Sequence, residues 1–278
     1  MTIRTSFIQA KRKHKRWAML TAYDAPTAKI LFDCGVDIQL VGDSVAMVVL
    51  GYSSTLPVTV DEMIHHAKAV RRGAPNAFII GDMPYHAVRS GTLKAVLAAK
   101  RFVKEAGCDA VKVEWRRDAT QIIKKILGAG IPVMGHIGLT PQEAAKNGGF
   151  KVRARKAREA EALLVQAKTL ERLGVFSVLM ELVPKNVAQA VTKSLKIPTF
   201  GIGAGMYCDG QVLVYQDLIG SFKQFKPKHV KSYDNMDARA RRAVSRYVRE
   251  VKSGKFPTEA HSFHMKDEER ARFERAIR

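Results

Sequence analysis

Five apolar runs of strand length each close on a side chain able to do chemistry. Ile38-Gln-Leu-Val-Gly delivers Asp43 and Ser44, Phe78-Ile-Ile-Gly delivers Asp82, and Ala110-Val-Lys112-Val delivers Glu114. Val133-Met-Gly leads to His136, and Ser177-Val-Leu-Met leads to Glu181. Asp43, Asp82 and Glu114 are oxygen donors with no thiolate or histidine pair among them. Such a set suits a hard divalent ion such as Mg²⁺, above all when a substrate and water complete the octahedron. The plainer alternative for each is a helix N-cap or a surface ion pair. Lys112 shares a face with Glu114, because strand residues two apart point the same way. It therefore either neutralises that carboxylate or holds an anionic group of a substrate. His136 reads as a donor to substrate or as a core histidine with a backbone partner. Glu181 follows Val178-Leu-Met180, an apolar setting that raises a carboxyl pKa and makes it a usable general base near neutrality.

These residues are far apart in the chain, and a parallel barrel is the architecture that gathers them, since all its strand C-termini open onto one face. The punctuation supports that expectation. After a basic lead-in over residues 1 to 16, a strand from Trp17 to Thr21 is followed by a helix opening at Asp24-Ala-Pro, with Asp24 as N-cap, and stopped by Gly35. The strand at 38–42 is followed by a long loop through Gly51-Tyr-Ser-Ser-Thr-Leu-Pro57, then by a helix capped at Thr59 or Asp61. Strands at 78–81, 110–114, 132–137, 177–182, 197–202 and 211–215 alternate with helices at 92–106, 118–129, 157–173 and 187–195. Such alternation in this length predicts an α/β fold, a (β/α)8 TIM barrel. The expected organisation is one domain over 1–278, with the barrel at about 17–222 and an extra C-terminal helix (237–252) and extended tail within 223–278. The glycine pair Gly148-Gly149 before Lys151-Val-Arg-Ala-Arg-Lys156 reads either as a mobile loop over the barrel mouth or as a solvated connection. The loop Gly201-Ile-Gly-Ala-Gly205 lacks the acidic partner of a nucleotide fingerprint, so it serves close backbone approach instead.

With 278 residues, 46% hydrophobic and 26% charged, the chain is globular. Three widely spaced cysteines, Cys34, Cys108 and Cys208, argue against a disulfide framework or thiolate metal site and for a reducing, cytoplasmic setting. No run is long enough for a membrane span. The excess of 47 Lys+Arg over 26 Asp+Glu, a net +21, raises the question of a nucleic-acid partner. The basic residues fall in scattered clusters, however, with no zinc-finger spacing, basic zipper or RNA-binding aromatic signature. Solvated faces and acidic small-molecule ligands explain them better, and no specific nucleic acid is expected.

Several stretches together resemble one family. They are Met19-Leu-Thr-Ala-Tyr-Asp24, Val41-Gly-Asp-Ser44, Thr55-Leu-Pro-Val-Thr59, Gly81-Asp-Met-Pro84, Val111-Lys-Val-Glu114, Gly135-His-Ile-Gly-Leu-Thr-Pro141, Gly201-Ile-Gly-Ala-Gly205, Asp209-Gly-Gln-Val-Leu213 and Ser253-Gly-Lys-Phe-Pro257. In order and spacing, from about residue 17 to 264, they are similar to the ketopantoate hydroxymethyltransferases of the phosphoenolpyruvate/pyruvate superfamily. The resemblance implies a (β/α)8 barrel, usually a homodecamer, that transfers a hydroxymethyl group from 5,10-methylenetetrahydrofolate to 3-methyl-2-oxobutanoate in pantothenate synthesis. It further implies that Asp43 and Asp82 bind Mg²⁺, that Glu114 joins the metal shell through water, and that Glu181 is the base. Ser44 and Lys112 match residues that hold the oxoacid carboxylate, and His136 matches a contact to the product hydroxyl.

Two departures stand out. Trp115-Arg116 replaces the family's usual Gly-Gly after Glu114, and Arg153-Ala154 replaces a Gln-Gly pair. Both bear on substrate range and loop motion. One rival is a sister lyase or hydrolase acting on a 2-oxo acid, but the catalytic cysteine of a Lys-Lys-Cys-Gly-His lid is not found in the sequence. The other is a polyanion-binding protein on an inactive barrel, which retention of every ionisable site residue disfavours.

Overall fold

The computed structural model describes residues 1–116, 118–144, 149–222 and 227–278. Eight apolar segments form parallel strands: β1 (Trp17–Thr21), β2 (Ile38–Val41), β3 (Phe78–Asp82), β4 (Ala110–Glu114), β5 (Val133–Gly138), β6 (Ser177–Glu181), β7 (Thr199–Ile202) and β8 (Gly210–Leu213). Each pairs with the next and β8 pairs with β1, so the sheet closes into a barrel. The predicted TIM barrel is the observed one.

Local chemistry sets the helix starts. Asp24 accepts from Thr27 N ahead of the helix Ala25–Asp33, and Thr59 with Glu62 forms a capping box before the helix Val60–Gly73. Two strand glycines let helices close onto the sheet: a Cβ on Gly81 would lie 2.3 Å from Phe102, and one on Gly135 would lie 2.6 Å from Leu170. A large apolar cluster fills the space between strands and helices, while a second, including Met19, Ile38, Ile80, Met134, Leu179 and Phe200, fills the barrel interior.

The barrel floor differs from the expected plain lead-in. Thr2 caps a helix, Ile3–Arg12, whose Ile3, Phe7 and Ala10 pack against the interior cluster. Phe7 stacks on Trp17 at 5.8 Å and meets Phe176 edge-on at 5.0 Å. Its basic residues are structural as well. Lys11 Nζ donates to Thr192 O and Ile197 O and pairs with Asp209 at 3.0 Å, and Arg16 donates to Cys208 O at 2.7 Å. The spacing of Ile3, Phe7 and Ala10 carried the helical signal, but the basic run beside it obscured the pattern.

Three further differences are local. The last strand ends at Leu213, and Tyr215 starts a short helix, Tyr215–Ile219. Short helices, Val45–Val48 and Tyr85–Arg89, occupy the connections after β2 and β3. The tail expected to be extended over 254–263 contains a 3-10 turn at Glu259–His261, and Asp267–Ala276 beyond it is helical. The predicted C-terminal helix is present as Met236–Lys252, with none of its residues buried. Between β7 and β8 the chain passes through the glycine loop alone, and Ala18 and Gln211 are exposed on the outer barrel wall beside it. Among the described residues no helix is long and apolar enough to cross a membrane.

Candidate active site

The strand C-termini open into a cavity of about 620 Å³ lined by Asp43, Ser44, Asp82, Lys112, His136 and Glu181. Six of the seven residues singled out in the sequence thus share one cavity. The seventh, Glu114, is 4% exposed and sits behind Lys112 and His136, with Oε1 3.9 Å from Lys112 Nζ and 3.5 Å from His136 Nδ1. The remaining wall is largely apolar, with Leu40, Leu179 and Val212 on the barrel side.

Lys112 is the hub. Its Nζ lies 2.8 Å from Asp82 Oδ1 as an ion pair and 3.3 Å from His136 Nδ1. An ammonium group has only donors, so Nδ1 must accept and the neutral ring carries its proton on Nε2. That Nε2 lies 3.3 Å from Glu181 Oε2, close but not aligned as a hydrogen bond, as its unsatisfied state shows. Tyr23 Oη and Ser44 Oγ share a hydrogen bond of 2.8 Å, which fixes the serine hydroxyl at the cavity wall. Asp43 N donates to Asp82 Oδ2 at 3.1 Å, tying the ends of β2 and β3 together.

Burial governs the electrostatics. It pushes the Asp82 carboxyl well above its usual value, with Lys112 only partly opposing and Asp43 and Glu114 adding to the rise. Burial raises Glu114 to about 8 and raises Glu181, the latter partly countered by His136. His136 is lowered by burial and by Lys112, which favours the neutral ring. Burial alone would lower Lys112, but Asp82, Glu114 and Asp43 outweigh it and keep the ammonium charged.

A divalent cation fits this set on two observations. Asp43, Asp82 and Glu114 are all buried around one lysine, so as carboxylates they leave a deficit of positive charge that is costly in a low-dielectric site. Glu114 Oε1 also has no hydrogen-bond partner, and Asp82 Oδ1 meets only the Lys112 ammonium. Among the described residues no group of three or more His, Cys, Asp or Glu side chains is arranged to hold a metal ion by itself. The donor set is instead that of an open oxygen site, with coordination left for substrate and water, the usual arrangement for Mg²⁺.

Sequence reasoning missed Gln142. It is 5% exposed, and its Nε2 donates to Asp43 Oδ2 at 2.9 Å and to Met83 O at 3.0 Å. Its position in Gly-Leu-Thr-Pro-Gln was visible, but a neutral amide drew no attention. Tyr23 was likewise visible only as part of a motif. Leu182, directly after Glu181, has φ 46 in the left-handed region, which non-glycine residues adopt only when the surroundings hold them there.

Of the suspected loop, Gly148 lies outside the described residues, while Phe150 and Val152 line the cavity. Arg153 N donates to Leu182 O at 2.8 Å, and Ala154 has φ 58. Trp115 packs against the core and its backbone N–H donates to His136 O at 2.7 Å, while Arg116 pairs with Asp118. Gly203 of the glycine loop also lines the cavity, and a Cβ there would lie 2.7 Å from Leu182.

Solved structures of like fold include phosphonopyruvate hydrolase in complex with oxalate and Mg++, with a TM-score of 0.60 at 12% identity over 100% of this chain and 97% of the other. A 2,3-dimethylmalate lyase aligns with a TM-score of 0.57 at 13% identity over 100% and 97% of the two chains. At that identity they show the fold alone. Curated relatives are far nearer in sequence. A 3-methyl-2-oxobutanoate hydroxymethyltransferase of Desulfotalea psychrophila is 50% identical over 92% of both chains. The enzyme of that name from Clostridium botulinum (strain Kyoto / Type A2) is 48% identical over 95% of this chain and 96% of its own. The model of the ketopantoate hydroxymethyltransferase family matches residues 1–259, and the chain belongs to this family of pantothenate-pathway transferases.

Proposed function

We propose that the chain transfers a hydroxymethyl group from 5,10-methylenetetrahydrofolate to 3-methyl-2-oxobutanoate, giving 2-dehydropantoate, with Mg²⁺ held by Asp43 and Asp82 and, through water, by Glu114. The observation that carries this reading is the set of buried carboxylates around Lys112, of which Asp43 and Asp82 open to the same cavity as Glu181 and Glu114 lies just behind. A divalent cation held there would supply Lewis acidity to the bound oxo acid and would offset the charge formed on proton loss. Lys112 spends donors on Asp82 and His136 and keeps capacity for a third acceptor, so with Ser44 Oγ it holds the substrate carboxylate. The apolar wall at Leu40, Leu179 and Val212 suits the isopropyl group.

Glu181, raised by burial, takes the C3 proton of the oxo acid. The resulting enolate carbon forms a C–C bond to the methylene carbon carried by the folate. Its bonds to nitrogen break, water provides the hydroxyl oxygen, and tetrahydrofolate leaves. His136 presents its Nε2–H to that oxygen, the role that the tautomer derived above permits.

The same reading takes the chain as one catalytic domain, with the barrel at 17–222 and the C-terminal segment at 223–278, working in the cytoplasm as a homodecamer. Three free thiols suit a reducing compartment. Exposed Val244, Tyr247, Val248 and Val251 on the C-terminal helix suit subunit contacts.

Calorimetry tests the metal assignment. Mg²⁺ should bind more tightly in the presence of 3-methyl-2-oxobutanoate than alone, and Asp43→Ala and Asp82→Ala should each abolish that coupling. Wild-type affinity in both variants would refute the assignment.

A further inference from the structure

The turn after β5 touches more of the site than any sequence motif suggests. Leu139 N donates to Glu181 O at 2.8 Å, at the end of β6. Gln142 N donates to Glu114 Oε2 at 3.2 Å, at the end of β4. The Gln142 side-chain amide reaches Asp43 Oδ2 at 2.9 Å, beyond the end of β2, and Met83 O at 3.0 Å, one residue past Asp82 on β3. One short turn therefore bridges four other strand ends. Both partners of Nε2 are acceptors only, so the amide orientation is fixed by chemistry: a flipped side chain would set oxygen against oxygen. Among the described residues this amide supplies the one hydrogen bond to the Asp43 carboxylate. The turn is also held from outside, where Glu143 pairs with Arg89 at the end of the helix Tyr85–Arg89.

We propose that Gln142 is a positioning residue that orients Asp43 and the end of β3 for metal and oxo-acid binding. This inference rests on the metal reading given above. Gln142 does not touch the reacting atoms. It fixes one oxygen of Asp43 by hydrogen bonding and leaves the other to face the cavity, while its second N–H holds the backbone beside Asp82. A carboxylate freed of such a partner samples more rotamers, and each productive encounter with a cation then carries an added ordering cost. Groups that orient metal ligands in this way typically contribute ten- to a hundredfold to affinity.

The test uses the full chain with Gln142→Met and Gln142→Ala. Methionine keeps the volume and the backbone N–H toward Glu114 but has no donor, whereas alanine also leaves a void. Mg²⁺ affinity is measured by calorimetry with and without 3-methyl-2-oxobutanoate, and bound Mn²⁺ is followed by electron paramagnetic resonance. If Gln142 orients Asp43, both variants weaken Mg²⁺ about ten- to a hundredfold, and the Mn²⁺ spectrum broadens or shifts in both. Wild-type affinity and spectrum in Gln142→Met, with loss only in Gln142→Ala, would make Gln142 a packing residue and overturn the inference. Absence of Mg²⁺ binding to the wild type would instead defeat the metal reading, and this inference with it.

Discussion

Lys112→Met measures how far the site depends on its one central cation. The ammonium lies 2.8 Å from Asp82 Oδ1 and 3.9 Å from Glu114 Oε1, and all three residues are nearly inaccessible to solvent. Removing one partner of such a buried pair leaves carboxylates without compensation and costs ~3–5 kcal/mol. For a chain of this size a kcal/mol shifts the melting midpoint by about 2–4 °C, so metal-free Lys112→Met should melt roughly 6–20 °C below the wild type. Exposed Lys68, 3.7 Å from Glu105, is the control, and Lys68→Met should cost less than ~1 kcal/mol. Saturating Mg²⁺ should recover part of the loss in Lys112→Met by supplying the missing positive charge, adding about 2.7 kcal/mol at a hundred times Kd. Circular dichroism melts with and without Mg²⁺ read both effects. A midpoint within 2 °C of the wild type in metal-free buffer (on the order of 1 kcal/mol or less) would show that the carboxylates do not rely on Lys112, and the charge-deficit reasoning would fail.

Two further outcomes follow from backbone and packing. Phe7→Ala, which empties the floor of the barrel beneath Trp17 and Phe176, should cost ~3–5 kcal/mol in chemical denaturation, and a loss under about 1 kcal/mol would mean the N-terminal helix is not part of the folded core. Ala154→Gly should relieve about 1–2 kcal/mol of left-handed strain at φ 58 against ~0.5–1 kcal/mol of chain entropy and ~0.8 kcal/mol for the buried methyl group, leaving stability within about 1 kcal/mol of the wild type by the same assay; a loss of about 1.5 kcal/mol or more would mean that the left-handed backbone at this position carries no strain.

The barrel and most of the cavity were legible in the sequence for a physical reason. Each buried strand needs an apolar run, and a polar side chain at its last residue is conspicuous because nothing in the run explains it, as at Asp82 after Phe78-Ile-Ile-Gly. Convergence of those ends then follows from closure of a parallel sheet. Gln142 escaped because its importance comes from reach across the barrel mouth to Asp43 and Met83, which no local spacing encodes. The helix Ile3–Arg12 escaped because Lys11 and Arg12 read as part of a solvated basic run, although Lys11 caps carbonyls of Thr192 and Ile197 nearly two hundred residues away, as the contacts show. Glu114 was placed correctly by strand alternation, but the alternation could not show that Lys112 and His136 stand between it and the cavity.

The central claim is that Glu181 removes the C3 proton of a 2-oxo acid held at the carboxylate cluster. Exchange of that hydrogen with deuterated water, followed by NMR with 3-methyl-2-oxobutanoate and Mg²⁺ but no folate, separates this step from transfer. The wild type should exchange. Glu181→Gln keeps the side chain's volume and reach, so metal and oxo acid should still bind while exchange slows by roughly a hundredfold or more. Equal exchange in the two proteins, with binding unchanged, would make Glu181 a structural carboxylate and turn attention to His136 as the base.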